Sequence, residues 1–356
     1  MKPTLYLHCG IYKTGSSFLQ TMFVRNRDLL KSRSIHYPKS EKEMDMYEGR
    51  ITAGNGIHLS RKLSEKETSV AELFSRDLAD ARKMNLTAVL YSSELLFNRF
   101  AEKDSFEKLC SAADTVGFGG IHALIYFRDP VSHALSTYKH RAKYGDHPDF
   151  KEWLQKEYEI YGLIQAFLKY SDDSRVQWSC RKYDRDSIYM VRSSFVDWLE
   201  TETPEIPRDD RVNASLQLNE IRVLQSIKKK CPGCEDFLRE SLLTVKTEEK
   251  ESERGLKEEY TSLIAERWRD YELLLQALNA KMRESEKLTI QAVDTPKNKE
   301  PFVALSEKQL EAIAEGMTVY WDAQKLTSRI GDIWDRGLNK VRRKWTASRF
   351  YNNYPS

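Results

Sequence analysis

The sequence predicts an α/β fold: a parallel sheet flanked by helices, followed by a helical C-terminal extension. Three observations predict it. Short apolar runs alternate with amphipathic stretches through the first two hundred residues. The first run ends in a glycine loop that opens a helix. Beyond about residue 215 the strand-like runs stop, and residues 246–259 are dominated by Glu and Lys. We therefore divide the chain at 1–215, the α/β core, and 216–356, a helical extension expected to pack on it.

The elements follow in order. "TLYLHC" (4–9) reads as a buried strand, and "SSFLQTMFVRNRDLL" (16–30) sets Leu19, Met22, Phe23, Leu29 and Leu30 on one helical face. Residues 39–68 are polar and irregular, including "AGNGIHLS" at 53–60, and read as surface loop with short helix. "LTAVLYSSELL" (86–96) is a second strand, ending at two serines and Glu94. "IHALIYFRDP" (121–130) is a third, with Arg128 just past its end and Pro130 opening a helix that Gly145 stops. "RVQWSCRKYDRD" (175–186) is a fourth, and Ile188, Val191, Phe195 and Leu199 are spaced as on a helix. From Tyr260 the recurrence of Leu263, Ile264, Trp268, Tyr271, Leu274, Leu275 and Leu278 predicts an amphipathic helix. Another begins near 306 with Ser306 as its cap.

Composition narrows the function. At 356 residues the chain can bury a substantial core, with 40% hydrophobic and 31% charged residues. A net charge of +3 gives no reason to expect nucleic acid as a partner. No leader or membrane-spanning run is visible, so a cytoplasmic protein is expected. The basic tail at 340–349 offers at most a weak membrane-surface contact; a solvated face is the simpler reading. Five scattered cysteines do not form a disulfide framework, and "CPGC" (231–234) reads as a turn between helices. No metal-ligand spacing is present, and His133, His140 and His147, seven residues apart, read as structural.

The loop "GIYKTGSS" (10–17) carries the chemistry. It has the two glycines and closing serine of a phosphate-binding loop, but its lysine is Lys13, inside the loop, and Ser16 stands where lysine is usual. Backbone N–H groups at a helix N-terminus favour an anion, Gly15 permits close approach, and Thr14, Ser16 and Ser17 add hydroxyls. Lys13 is placed to neutralise charge on a bridging oxygen as a bond breaks. The alternative is a glycine turn that merely caps the helix. In open parallel sheets, ligands bind beyond the carboxyl ends of the strands. The loop, Glu94 and Arg128 all fall at such ends. Arg128 offers a fixed fork of donors to a phosphate, or else a salt bridge to Asp129 or another acid. Glu94 is the candidate base, or else an ion-pair partner of Lys13 or Arg128. His58 and His36 are rival bases.

"LHCGIYKTGSSFLQ" resembles the 5′-phosphosulfate loop of the sulfotransferases that use 3′-phosphoadenosine 5′-phosphosulfate (PAPS), most closely bacterial members with K-T-G-T-T in the loop. "YFRDPVSHALSTY" (126–138) resembles their 3′-phosphate site, which implies that Arg128 and Ser136 bind that phosphate. "VQWSCRKYDRDSI" (176–188) resembles the strand whose tyrosine, here Tyr183, lies near the nucleotide. "RVNASLQLNEIRVLQSI" (211–227) resembles R-V-N-x-S-L, which implies cofactor contacts from Arg211 and Asn213. Tyr183 is equally open to a packing role, and Asn213 or Ser215 to helix capping. The resemblance spans roughly residues 4–227. Cys9 and Ser16-Ser17 depart from the usual residues, and the R-K-G-x-x-G stretch of the cytosolic eukaryotic enzymes is missing.

The resemblance implies transfer of a sulfuryl group from PAPS to an acceptor hydroxyl or amine, with Glu94 as base, Lys13 on the leaving phosphate and PAP as product. It requires no metal. It points to an acceptor that is a glycan or glycolipid, on which Trp153, Tyr158 and Tyr161 are candidates for stacking, unless they are core. The other readings are a P-loop kinase or NTPase, and a non-catalytic nucleotide-binding protein that uses its charged helices for interaction.

Overall fold

The computed structural model describes residues 2–50, 52–65, 67–102, 104–143, 148–206, 216–246, 253–290 and 304–328. The elements run β1 (Thr4–Cys9), α1 (Ser16–Arg25), α2 (Arg27–Ser32), β2 (Ile35–His36), α3 (Glu43–Tyr47), α4 (Ile57–Leu63), α5 (Glu67–Lys83), β3 (Ala88–Ser93), α6 (Glu94–Phe100), α7 (Ser105–Val116), β4 (Gly120–Phe127) and α8 (Pro130–Ala142). They continue with α9 (Phe150–Lys156), α10 (Ile160–Tyr170), β5 (Val176–Lys182), α11 (Ser187–Val191), α12 (Leu218–Lys230), α13 (Glu235–Thr244), α14 (Arg254–Arg269), α15 (Glu272–Asn279) and α16 (Glu307–Ser328). A π-helical turn, Arg192–Val196, extends α11.

The sheet has the order β2-β3-β1-β4-β5, and every pairing is parallel. The expected α/β class with helices on both faces is therefore present. Parallel strands are buried on both sides, which is why they read as nearly continuous apolar runs. β3 has no exposed residue. One face packs Leu90, Leu124 and Tyr126 against Leu19, Met22 and Phe23 of α1 and against Met190, Phe195 and Trp198. On the other face, Tyr91 meets Phe74 and Phe127 meets Phe97 and Phe167. Each large side chain so buried contributes about 1.5–3 kcal/mol.

Two features differ from the sequence expectation. Residues 52–56 are not a surface loop: Thr52 and Asn55 are buried. The reason lies in β2, whose two residues pair only with Ala88 and Val89 at the start of β3. The rest of that edge needs other hydrogen-bond partners. Asn55 supplies them, donating from Nδ2 to the Leu90 carbonyl at 2.9 Å and accepting from the Ser92 N–H at 2.7 Å. The Gly56 N–H then donates to the Ser92 carbonyl. The second difference is at 260–278, where one helix was expected. The chain turns at Asp270–Tyr271, so α14 and α15 are separate.

Over the described residues the chain clusters into two compact units. The first holds the sheet and comprises Met1–Thr137, Leu154–Asp210 and Ile264–Ala292. Within it, Tyr161 stacks on Tyr271 at 3.6 Å and touches Trp268. The second comprises Tyr138–Trp153, Arg211–Leu263 and Val293–Ser356. In it, Phe150 stacks on Tyr260 at 3.9 Å, and Trp153 is fully buried against Tyr138 and Phe150. α13 crosses α16 closely, since a Cβ on Gly316 would lie 3.0 Å from the Leu238 backbone. "CPGC" is the turn between α12 and α13, with Gly233 at φ +90°. Ser306 caps α16 as expected, its hydroxyl accepting from the Gln309 N–H. Among the described residues no helix is long and apolar enough to cross a membrane.

Candidate functional site

β1 lies between β3 and β4, and the register aligns Cys9 with Ser93 and His8 with Leu124. The residues that follow these strands therefore emerge side by side: Gly10, Glu94 and Arg128. Tyr183 joins them from β5, its N–H donating to the Phe127 carbonyl at 2.6 Å.

The loop is tightly built. A Cβ on Gly10 would overlap the Ser16 hydroxyl at 2.1 Å and approach the Glu94 Cα at 3.1 Å. Only glycine lets loop, strand end and α6 meet there. Gly15 has φ +80° and caps α1, and a Cβ there would lie 2.9 Å from the Tyr183 ring. Lys13 also sits in the left-handed region, at φ +64°. A lysine held in that conformation stores strain of a kind that clusters at ligand sites.

Three successive loop carbonyls each receive a side-chain donor. The Thr14 hydroxyl donates to the Ile11 carbonyl at 2.5 Å, His133 Nε2 to Tyr12 at 3.0 Å, and Arg128 Nη1 to Lys13 at 3.0 Å. The Ser16 hydroxyl, at the first position of α1, is buried and has no hydrogen-bond partner among the described residues. A buried, unpaired donor beside a helix N-terminus fits an anion.

Arg128 is held from three sides. Besides the Lys13 carbonyl, its Nε donates to the Ser132 hydroxyl at 2.7 Å, and its guanidinium lies 5.0 Å over the Tyr183 ring. The expected alternative, a salt bridge to Asp129, is absent: Asp129 pairs with Lys182 at 2.9 Å and accepts from the Thr289 N–H. Among the described residues no carboxylate pairs with Arg128. Burial lowers its pKa from the ordinary arginine value. A largely desolvated guanidinium without a counter-ion is a strong anion receptor.

Glu94 is half-buried at the first position of α6, where Ser93 caps the helix by accepting from the Leu95 N–H. Burial raises its carboxyl pKa, and the Lys13 charge partly opposes the rise. The two rival bases differ in position. His36 is on β2, in register with Val89 at the start of β3, the opposite end of the sheet from Glu94. His58 is in the first turn of α4, which begins directly after Gly56, whose N–H donates to the Ser92 carbonyl at the Glu94 end of β3. The His58 Nε2 is 3.9 Å from the Glu41 carboxylate.

Ser136 is half-buried on α8, two turns into the helix that Arg128 precedes. Arg211 and Asn213 lie outside the described residues. Trp153, Tyr158 and Tyr161 are buried and packed on other aromatic rings, which removes them as sugar-stacking surfaces. From the sequence, Ser132 went unnamed, His133 read as structural, and Tyr158 stood as a stacking or core residue. Ser132 and His133 sit in the "RDPVSH" stretch, whose i, i+4 spacing from Arg128 to Ser132 was a usable signal. Tyr158, which contacts His133, has no local signature.

Comparison of the chain with protein-family models, with curated proteins and with solved structures gives no match.

Proposed function

We propose that the protein is a PAPS-dependent sulfotransferase built on a P-loop-type sheet. The observation that carries the reading is Arg128: a guanidinium with no carboxylate partner among the described residues, fixed beside a helix N-terminal loop. The loop would hold one phosphate, and Arg128 with Ser136 a second. Two such phosphate sites, with the Tyr183 ring against both Arg128 and Gly15, would suit a nucleotide phosphorylated at both the 3′ and 5′ positions. The group transferred is an electrophilic sulfur, so positioning and electrostatics dominate, as in phosphoryl transfer. The acceptor oxygen attacks sulfur in line, the bond from sulfur to the 5′-phosphate oxygen breaks, and PAP leaves. Lys13 and the α1 N-terminus would stabilise the charge on that leaving phosphate. Glu94 would take the acceptor proton; its raised pKa brings it closer to neutral and strengthens it as a base.

A hydroxyl of a carbohydrate or glycolipid is the proposed acceptor. The test is incubation with sulfur-labelled PAPS and a panel of mono- and oligosaccharides. Label is expected in a saccharide with wild type and is lost in Glu94→Gln and Lys13→Gln. Transfer of γ-label from ATP–Mg²⁺ instead would replace this reading with a kinase.

A further inference from the structure

We propose that His133 is a positioning residue for the 10–17 loop: through the Tyr12 carbonyl it turns the loop's N–H groups toward the anion, and the Tyr158 hydroxyl fixes it in the tautomer that can do so. The identity of the anion rests on the reading above; the clamp itself does not.

The backbone carries the first part. In a trans peptide the C=O and the following N–H point in opposite directions. The carbonyls of Ile11, Tyr12 and Lys13 are each engaged by a donor, so the N–H groups of Tyr12, Lys13 and Thr14 face away from those donors. Successive N–H groups turned the same way form an anion-binding concavity. Without those donors a carbonyl can rotate inward and present its negative end to the ligand. Thr14 and Arg128 hold the outer two carbonyls, and His133 holds the middle one.

The tautomer follows from the partners. The Tyr12 carbonyl has no proton to give, so His133 Nε2 carries the hydrogen across the 3.0 Å contact. His133 is fully buried, and burial lowers its pKa to about 3, with the Arg128 and Lys13 charges acting in the same direction. The ring is therefore neutral, Nδ1 is an acceptor, and the Tyr158 hydroxyl donates to it at 2.8 Å. The opposite tautomer would set the Nε2 lone pair against the carbonyl oxygen and remove the acceptor that Tyr158 uses.

The test compares His133→Leu, His133→Gln and Tyr158→Phe. Backbone ¹⁵N relaxation of Tyr12, Lys13 and Thr14 is measured in the ligand-free protein, and PAP affinity by calorimetry. In wild type the three amides are expected to be as rigid as the sheet, with order parameters of about 0.85. In His133→Leu they are expected to fall below about 0.6 while β1 and β4 are unchanged. PAP affinity should fall at least tenfold. His133→Gln, whose amide N–H can reach the same carbonyl, should restore most of both. Tyr158→Phe, which keeps the ring and its packing, should loosen the loop to a smaller degree, and it decides the matter if His133→Leu does not fold. Wild-type loop rigidity in His133→Leu, or in Tyr158→Phe where the first variant does not fold, would overturn the proposal. The relaxation result stands whether or not wild type binds PAP, so failure of the clamp and failure of the sulfotransferase reading are separable.

Discussion

Arg128 is the side chain that an anion would change most. Its Nε and one Nη1 contact orient it, and it has no carboxylate to neutralise it among the described residues. A charge-assisted hydrogen bond is worth about 1.5–3 kcal/mol, so Arg128→Ala should weaken PAP binding by about 10- to 100-fold. Arg128→Lys should recover little, because an ammonium cannot span the Ser132 hydroxyl, the loop carbonyl and a phosphate together. Gly15 is equally exacting. Gly15→Ala places a Cβ at φ +80° and 2.9 Å from the Tyr183 ring, which should cost about 1–3 kcal/mol of stability and disrupt the loop. Thermal denaturation and PAP titration of the one variant read both effects. Glu94→Gln should abolish transfer and leave PAP affinity within a few-fold of wild type. Because burial raises its carboxyl pKa, rate should rise with pH as Glu94 ionises, with an acid limb above the ordinary value of about 4.3. Lys13 and Gly15 were legible in the sequence from the glycine-loop pattern at 10–17, and Glu94 and Arg128 from their places just past strand ends. His133 and Tyr158 were not: their contacts span 121 and 25 residues, and neither carries a local pattern.

At the scale of elements, β1, β3, β4 and β5 were legible because strands buried on both faces leave short apolar runs. β2 was not, since two residues carry no period. The same shortness hid the part played by residues 52–56. Their polarity reads as surface until β3 is seen to need hydrogen-bond partners, and Asn55 to supply them. Asn55→Leu should therefore leave the Ser92 N–H without its buried acceptor and the Leu90 carbonyl without its donor. A cost of about 2–4 kcal/mol is expected, measured as a shift in denaturant midpoint at constant slope. An exposed asparagine replaced by leucine would change stability by only a few tenths. The break between α14 and α15 was likewise hidden: Trp268, Tyr271 and Leu275 keep a helical spacing across the turn at Asp270–Tyr271.

For the whole molecule, two fully buried histidines weaken stability in mild acid. Burial lowers the pKa of both His8 and His133 to about 3, whereas in the unfolded chain both titrate near 6.5. Between those values the unfolded state binds protons that the native state does not, so stability falls as pH drops below about 6.5. The slope reaches about 1.4 kcal/mol per pH unit for each histidine. Urea midpoints at pH 7 and pH 5 should show this loss, and His133→Gln should reduce it. The α/β class and the meeting of loop, Glu94 and Arg128 at one end of the sheet were legible as soon as the strands were placed. The chemistry rests on a resemblance, and one binding comparison tests it most directly. Calorimetry with PAP and with adenosine 5′-phosphate, on wild type and Arg128→Ala, isolates the coupling between the 3′-phosphate and the guanidinium. Wild type is expected to prefer PAP by about 10- to 100-fold, and the preference to collapse in Arg128→Ala. An unchanged preference in the variant, or tighter binding of ATP–Mg²⁺ than of PAP by wild type, would contradict it.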